Sequence, residues 1–186
     1  FYMKLKLLVI LSSVIFAGQS FAGLLIDPYI GFGKHVTEME FEGLPVLLSA
    51  FEDIESDESS SHLGARVGYS FLLLSAGVDY EMVTAGDVKT TNVAAFVGVD
   101  LPILLRGWAK YYISSSLDDD DNSAAEFTFK DGYAVGIGFT PLPLVSINLE
   151  VQALNYDGEL TVGGSTYDGS AKTAGTVLSV SLPIDL

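Results

Sequence analysis

The stretch His62–Met82, HLGARVGYSFLLLSAGVDYEM, alternates with period two on both sides of a two-residue corner. Leu63, Ala65, Val67, Tyr69 and Phe71 share one face, with Gly64, Arg66, Gly68 and Ser70 on the other. After Leu72-Leu73 the pattern resumes, with Leu74, Ala76, Val78, Tyr80 and Met82 against Ser75, Gly77, Asp79 and Glu81. Successive side chains of a strand point to opposite faces, so two alternating runs around a tight corner specify a hairpin. With residues 72 and 73 at the corner, Arg66 falls opposite Asp79, Gly68 opposite Gly77 and Ser70 opposite Ser75. All the charge lies on the glycine- and serine-rich face. An uncharged apolar face backed by a small polar one suits a barrel strand that meets lipid outside and a narrow lumen inside.

The same alternation recurs along the chain. Leu24, Ile26, Ile30, Phe32 and Val36 alternate against Asp27, Tyr29, Gly31, Gly33 and His35. Further runs cover 91–101, 104–113, 127–139, 145–153 and 176–184, and with the hairpin they predict eight strands. Each is close to the ~9–11 residues that cross a bilayer as a tilted strand. The connections are expected to differ at the two ends. Short apolar turns centre on Leu72-Leu73, Pro102–Leu104 and Pro141–Pro143, whereas polar loops are expected over 37–61, 85–90, 114–126 and 157–172. Short turns at one end and long loops at the other match periplasmic and extracellular sides. A soluble eight-stranded barrel also alternates, with its apolar face inward. The polar face here is mostly glycine and serine rather than a Lys/Glu-rich coat, which favours the membrane barrel.

The N-terminal segment has a separate character. Lys4 and Lys6 precede the apolar run Leu7–Ala17, and Ser20-Phe21-Ala22 puts small residues at the cleavage-defining positions. That is the pattern of a secretory signal peptide cut after Ala22. The run is too short for a membrane helix, which needs ~20 apolar residues. The chain has no cysteine, hence neither disulfides nor a lipid-bearing cysteine. The expected organisation is a removed signal peptide, 1–22, and one barrel domain, 23–186, in the outer membrane of a Gram-negative bacterium.

Signal peptide, eight alternating strands, short turns and long loops together resemble the small outer-membrane barrels of the protein A, protein X and protein W types. The resemblance covers Leu24–Leu186 and is architectural. It implies an all-β, eight-stranded, antiparallel up-and-down transmembrane barrel that is inserted by the barrel-assembly machinery. The chain departs from the pattern at its end, Val180–Leu186, which lacks the terminal Phe usual in this class.

Nine Lys and Arg less Lys4 and Lys6 leave seven bases in the mature chain. Alternation places four of these, Arg66, Arg106, Lys110 and Lys130, on the inward face with Asp27, Asp79, Glu81, Asp100 and Glu150. An eight-stranded barrel is only wide enough inside for side chains to fill it, so charges there need partners. Arg66–Asp79 and Asp100–Arg106 are the pairs expected from register. These nine residues form the expected lumen charge network.

Most of the acidity lies in the loops: Glu38 to Glu58 carries eight acids and no base, and Asp118–Asp121 form a second run. Neither follows a calcium-loop spacing, and no metal or cofactor is expected. The acidity also excludes nucleic-acid binding. Within the first loop the apolar segment Leu44–Phe51 is expected to cap the mouth. An enzyme acting on lipid A would need a serine nucleophile with a histidine base and an orienting acid. His35 and His62 are the only histidines, and Ser59–Ser61 adjoin the second. Both histidines point inward by alternation, away from lipid, so no catalytic residue is assigned. The expected role is structural or surface-interacting. Membrane lipids and lipopolysaccharide are the expected surroundings, with a surface partner reached through loops 37–61 and 114–126. A narrow channel for small or apolar solutes is the alternative, and a lipid A-modifying enzyme ranks below it.

Overall fold

The computed structural model describes residues 23–41, 53–86, 88–118, 125–142, 144–162 and 164–186. The signal peptide, the apolar segment Leu44–Phe51 and residues 119–121 of the second acidic run lie outside them. Eight long strands follow in order: β1 (Gly23–Phe41), β2 (Asp53–Phe71), β3 (Leu74–Ala85), β4 (Val88–Leu101), β5 (Leu105–Asp118), β6 (Ala125–Leu142), β7 (Val145–Val162) and β8 (Ser165–Ser181). Each pairs antiparallel with the next, and β1 pairs with both β2 and β8, which closes the barrel. A two-residue strand β9 (Ile184–Asp185) folds back on β1 after Pro183.

The organising hairpin has the register expected of it: Arg66↔Asp79, Gly68↔Gly77 and Ser70↔Ser75. Asp100↔Arg106 likewise pair across the β4–β5 turn. Three turns at one end, near Leu72, Leu104 and Leu144, each hold that leucine in the left-handed region, at φ of 56°, 64° and 71°. An L-residue there costs about 1–2 kcal/mol.

The strands are longer than alternation implied, 12 to 19 residues. Much of what reads as loop is strand. Residues 37–41 continue β1, 53–61 begin β2, 88–90 begin β4, and β7 and β8 run to within two residues of each other. The reason is physical. Beyond the bilayer both faces of a strand can be polar, as at Asp57, Ser59 and Ser61, so the two-sided signature vanishes while the backbone ladder continues.

The outer surface is an apolar belt. Ile30, Phe32, Leu63, Val67, Tyr69, Val97, Tyr111, Val135, Ile137, Leu149 and Leu178 all point outward and are exposed. A water-soluble protein rarely exposes more than a few hundred Å² of contiguous apolar surface, so this belt faces lipid.

Two irregularities redirect side chains. β5 carries an extra residue at Ile113, between the pairs Val93↔Ser114 and Ala94↔Tyr112, and β6 carries one at Lys130, between Phe129↔Tyr156 and Asp131↔Asn155. A bulge inserts one residue and reverses the inside–outside phase beyond it. Phe127 and Phe129 therefore turn inward, onto the cluster of Ala94, Tyr112, Ala134, Leu154, Tyr156 and Ala171. Without the bulge, alternation would have put both on the outer face. The β5–β6 ladder also stops at Tyr111↔Tyr133, although both strands continue past it.

Candidate functional site: the barrel lumen and its outer cup

Inward positions of β1, β2, β3, β5 and β7 bring most of the expected charges together. Asp27, Arg66, Asp79, Glu81, Arg106, Lys110 and Glu150 are all buried inside the barrel. Asp27 Oδ2 forms ion pairs with Arg66 Nη2 at 2.9 Å and Arg106 Nη1 at 3.0 Å. Lys110 Nζ sits between Asp79 Oδ2 at 2.8 Å and Glu150 Oε1 at 2.9 Å.

Arg66 faces Asp79 in the ladder but makes its ion pair with Asp27, the neighbour on its other side, whose Cα partner is also Arg66. The expected Arg66–Asp79 bridge is not formed. The β2–β3 hairpin fixes one cross-strand neighbour of Arg66, and the β1–β2 ladder supplies the other. Asp79 instead forms an ion pair with Lys110 through Oδ2 and accepts a hydrogen bond from Tyr29 Oη at 2.8 Å through Oδ1. Two other expected members sit elsewhere. Asp100 is at the rim, its side chain 51 % exposed and 3.5 Å from Arg106 Nε. Lys130, the bulge residue, points out with its side chain 56 % exposed and pairs with Asp157 at 3.0 Å.

Aromatic residues complete this layer. The Arg66 guanidinium lies 4.2 Å from the Trp108 ring centre and 5.4 Å from that of Tyr29. Stacking of this kind accommodates guanidinium faces without hydrogen bonds. Trp108 Nε1 donates to Glu150 Oε2 at 2.5 Å. Trp108 lies against Gly136, where a Cβ would overlap ring atoms Cε2 and Cζ2. The inner-face glycines thus make room for the ion pairs and rings that fill the barrel.

Above the charged layer runs a hydrogen-bonded chain that alternation alone left unlinked. Tyr112 Oη donates to Gln152 Oε1 at 2.7 Å, and Gln152 Nε2 meets His35 Nε2 at 2.5 Å. His35 Nδ1 and His62 Nε2 each lie 2.9 Å from Ser60 Oγ, and His62 Nδ1 lies 2.8 Å from Glu81 Oε1. With the Gln152 amide donating to His35 Nε2, His35 Nδ1–H donates to Ser60 Oγ, and His62 Nδ1–H donates to Glu81. Ser60–His62–Glu81 has the connectivity of a hydrolytic triad, but His35 occupies one side of the hydroxyl. A Cβ on Gly33 would stand 3.0 Å from Ser60 Oγ and 2.9 Å from His62 Nε2, so Gly33 lets β1 pass close to this chain.

Past this chain the lumen opens into a cup of about 240 Å³. His35, Gln152 and Asn92 contribute from the chain below, and Met39, Val83, Val88, Phe127, Leu154, Tyr156 and Ala171 supply most of the apolar lining. The sequence signal for the cup was weak, because Phe127 enters it only through the phase reversal at Lys130.

A closed antiparallel barrel with a lipid-facing belt and a charged interior defines the class: a membrane-spanning barrel of the outer-membrane kind. No protein-family model matches the chain, and no curated protein matches it in sequence. Its fold is similar to that of the outer membrane protein OprG from Pseudomonas aeruginosa, at TM-score 0.50 and 9 % identity over 88 % of this chain and 97 % of that one. The outer membrane protein AlkL, solved in lipid bilayers, aligns at TM-score 0.49 and 14 % identity, covering 88 % of this chain and 91 % of that one. Neisserial surface protein A aligns at TM-score 0.46 and 12 % identity, covering 83 % and 96 %. The chain has the fold of the small eight-stranded outer-membrane barrels.

Proposed function

We propose that the protein is an integral outer-membrane barrel of a Gram-negative cell, without enzymatic activity, whose lumen is closed and whose work is done at its outer end. The observation that supports this is the buried charge layer, in which Asp27 holds two arginines and Lys110 holds two carboxylates across the barrel. Opening a path would separate ion pairs in a space of low polarity, where stranding one partner costs about 3–5 kcal/mol. On this reading residues 1–22 are removed on export and the assembly machinery inserts residues 23–186. The acidic outer segments within 37–61 and 114–126 then meet lipopolysaccharide or a surface partner. Planar-bilayer recording tests the closed lumen: the purified barrel should give no discrete conductance steps, and reproducible openings would refute it.

A second reading is favoured by a separate observation, the apolar cup at the outer mouth. It would admit small apolar solutes from outside. The β5–β6 ladder ends at Tyr111↔Tyr133, short of the cup-lining Phe127, which is paired only on its β7 side. Titrating benzene into the barrel in lipid nanodiscs should shift the methyl resonances of Val83 and Leu154. Unmoved methyls would remove this reading.

A further inference from the structure

Among the described residues that line the cup, one buried polar atom has no hydrogen-bond partner: Asn92 Oδ1. The polar groups around it are tied up. Thr37 and Thr173 share a hydrogen bond of 3.0 Å, Tyr156 Oη lies 2.9 Å from Ser115 Oγ, and Ser56 donates to Glu58. At the floor, His35 and Gln152 are joined to each other, and Gln152 accepts from Tyr112. Val88, Thr90 and Asn92 follow one another down the inner face of β4, and Asn92, only 3 % exposed, is the lowest of the three.

Glu81 decides which amide atom is left over. Its Oε2 lies 3.3 Å from Asn92 Nδ2, and a carboxylate only accepts, so the nitrogen is turned to Glu81 and Oδ1 away from it. The protonation of His62 does not alter this, because Nδ1 donates to Glu81 Oε1 in the neutral and in the charged imidazole. A buried acceptor left unpaired costs free energy that a matching donor recovers. A lone water would find no second unpartnered atom in the described wall, short of the two to four partners that hold a buried water. The cup thus combines apolar walls with a single unused acceptor at its floor, the arrangement that orients a small ligand.

We propose that the cup binds a small apolar alcohol, whose hydroxyl donates to Asn92 Oδ1 while its hydrocarbon body lies against Val83, Leu154 and Phe127. A hydroxyl supplies the missing donor and brings no charge. An ether or ketone of the same size only accepts, and it would set one acceptor against another. A charged ligand would give up its hydration to the apolar walls. At ~30 Å³ per water-sized group, the cup has room for about eight such groups, enough for a six-carbon alcohol. This inference rests on the second reading above, that the cup takes small apolar solutes.

The test compares 1-hexanol with its isomer 1-methoxypentane, which has the same atoms but no donor, by titration into the full barrel in nanodiscs of neutral lipid. The methyl resonances of Val83 and Leu154 report binding, and free ligand is corrected for partition into empty nanodiscs. Hexanol should bind about tenfold more tightly than the ether. Asn92→Leu should abolish that difference while circular dichroism confirms a folded barrel. If Asn92→Leu does not fold, an Overhauser contact between the hexanol carbinol methylene and the Asn92 side-chain amide protons decides in its place, and its absence would overturn the assigned hydroxyl position. Equal binding of the two ligands to the unmutated barrel would overturn the alcohol proposal and leave the apolar cup standing. No binding by either would overturn the cup reading as well. A preference for hexanol retained in a folded Asn92→Leu would overturn the assignment to Asn92.

Discussion

Arg66 and Asp79 stand directly opposite one another in the β2–β3 ladder, yet the Arg66 guanidinium turns to Asp27 on β1, 2.9 Å away. Register and ion pairing are separate properties of a closed barrel. Each inward side chain has a cross-strand neighbour on both sides, and aromatic rings decide which one it meets. Trp108 and Tyr29 flank Arg66, and Tyr29 also donates to Asp79.

The coupling energies of Arg66 should follow the ion pair rather than the register. Removing Arg66 alone should destabilise the barrel, but by less than the ~3–5 kcal/mol of a fully stranded charge, because Arg106 still pairs with the buried Asp27 carboxylate. Urea unfolding from lipid vesicles, run as two double-mutant cycles, should give a larger coupling for Arg66–Asp27 than for Arg66–Asp79. The reverse order would mean the arginine points the other way.

Lys110 and Lys130 both fall on the inward face by alternation, but the structure separates them. Lys110→Met should cost about 3–5 kcal/mol by stranding Asp79 and Glu150. Lys130→Met breaks only an exposed pair with Asp157 and should fall within the ~0–1 kcal/mol typical of surface ion pairs. Equal losses in the same unfolding assay would place the bulge at Lys130 in error.

Gly136 faces the lumen, and a Cβ there would overlap the Trp108 ring. Gly136→Ala should displace that ring and its bonds to Glu150, at about 1–3 kcal/mol of overpacking. Trp108 is the single tryptophan, so its emission should shift to the red in the variant. Emission and stability both unchanged would rule out this packing.

Val97 and Val135 are 60 % and 58 % exposed on the outer belt. An arginine at either should cost about 2–4 kcal/mol near mid-bilayer. Thr128→Arg, beyond the bulge and also exposed, should insert normally. Insertion into vesicles, followed by heat-modifiable gel mobility, distinguishes the three. Normal insertion of Val97→Arg would mean that the belt does not face lipid.

Alternation of one residue in two is a local property of the strand, and where lipid and lumen impose opposite demands it survives in the sequence. It was enough to define eight strands, the pairing of Arg66 with Asp79 in register, and the inward placement of Asp27, Glu81, Lys110 and Glu150. It failed where those demands stop. The outer parts of β1, β2, β7 and β8 carry polar residues on the outward face, such as Glu38, Glu40, Asp57 and Asp157, and look like loops. The bulges at Ile113 and Lys130 leave no mark in hydropathy, yet they turn Phe127 in and Lys130 out. Only the closed barrel brought Arg106 to Asp27, Lys110 to both Asp79 and Glu150, and Gln152 to His35. Those choices depend on distances between strands far apart in the chain, which no local pattern encodes.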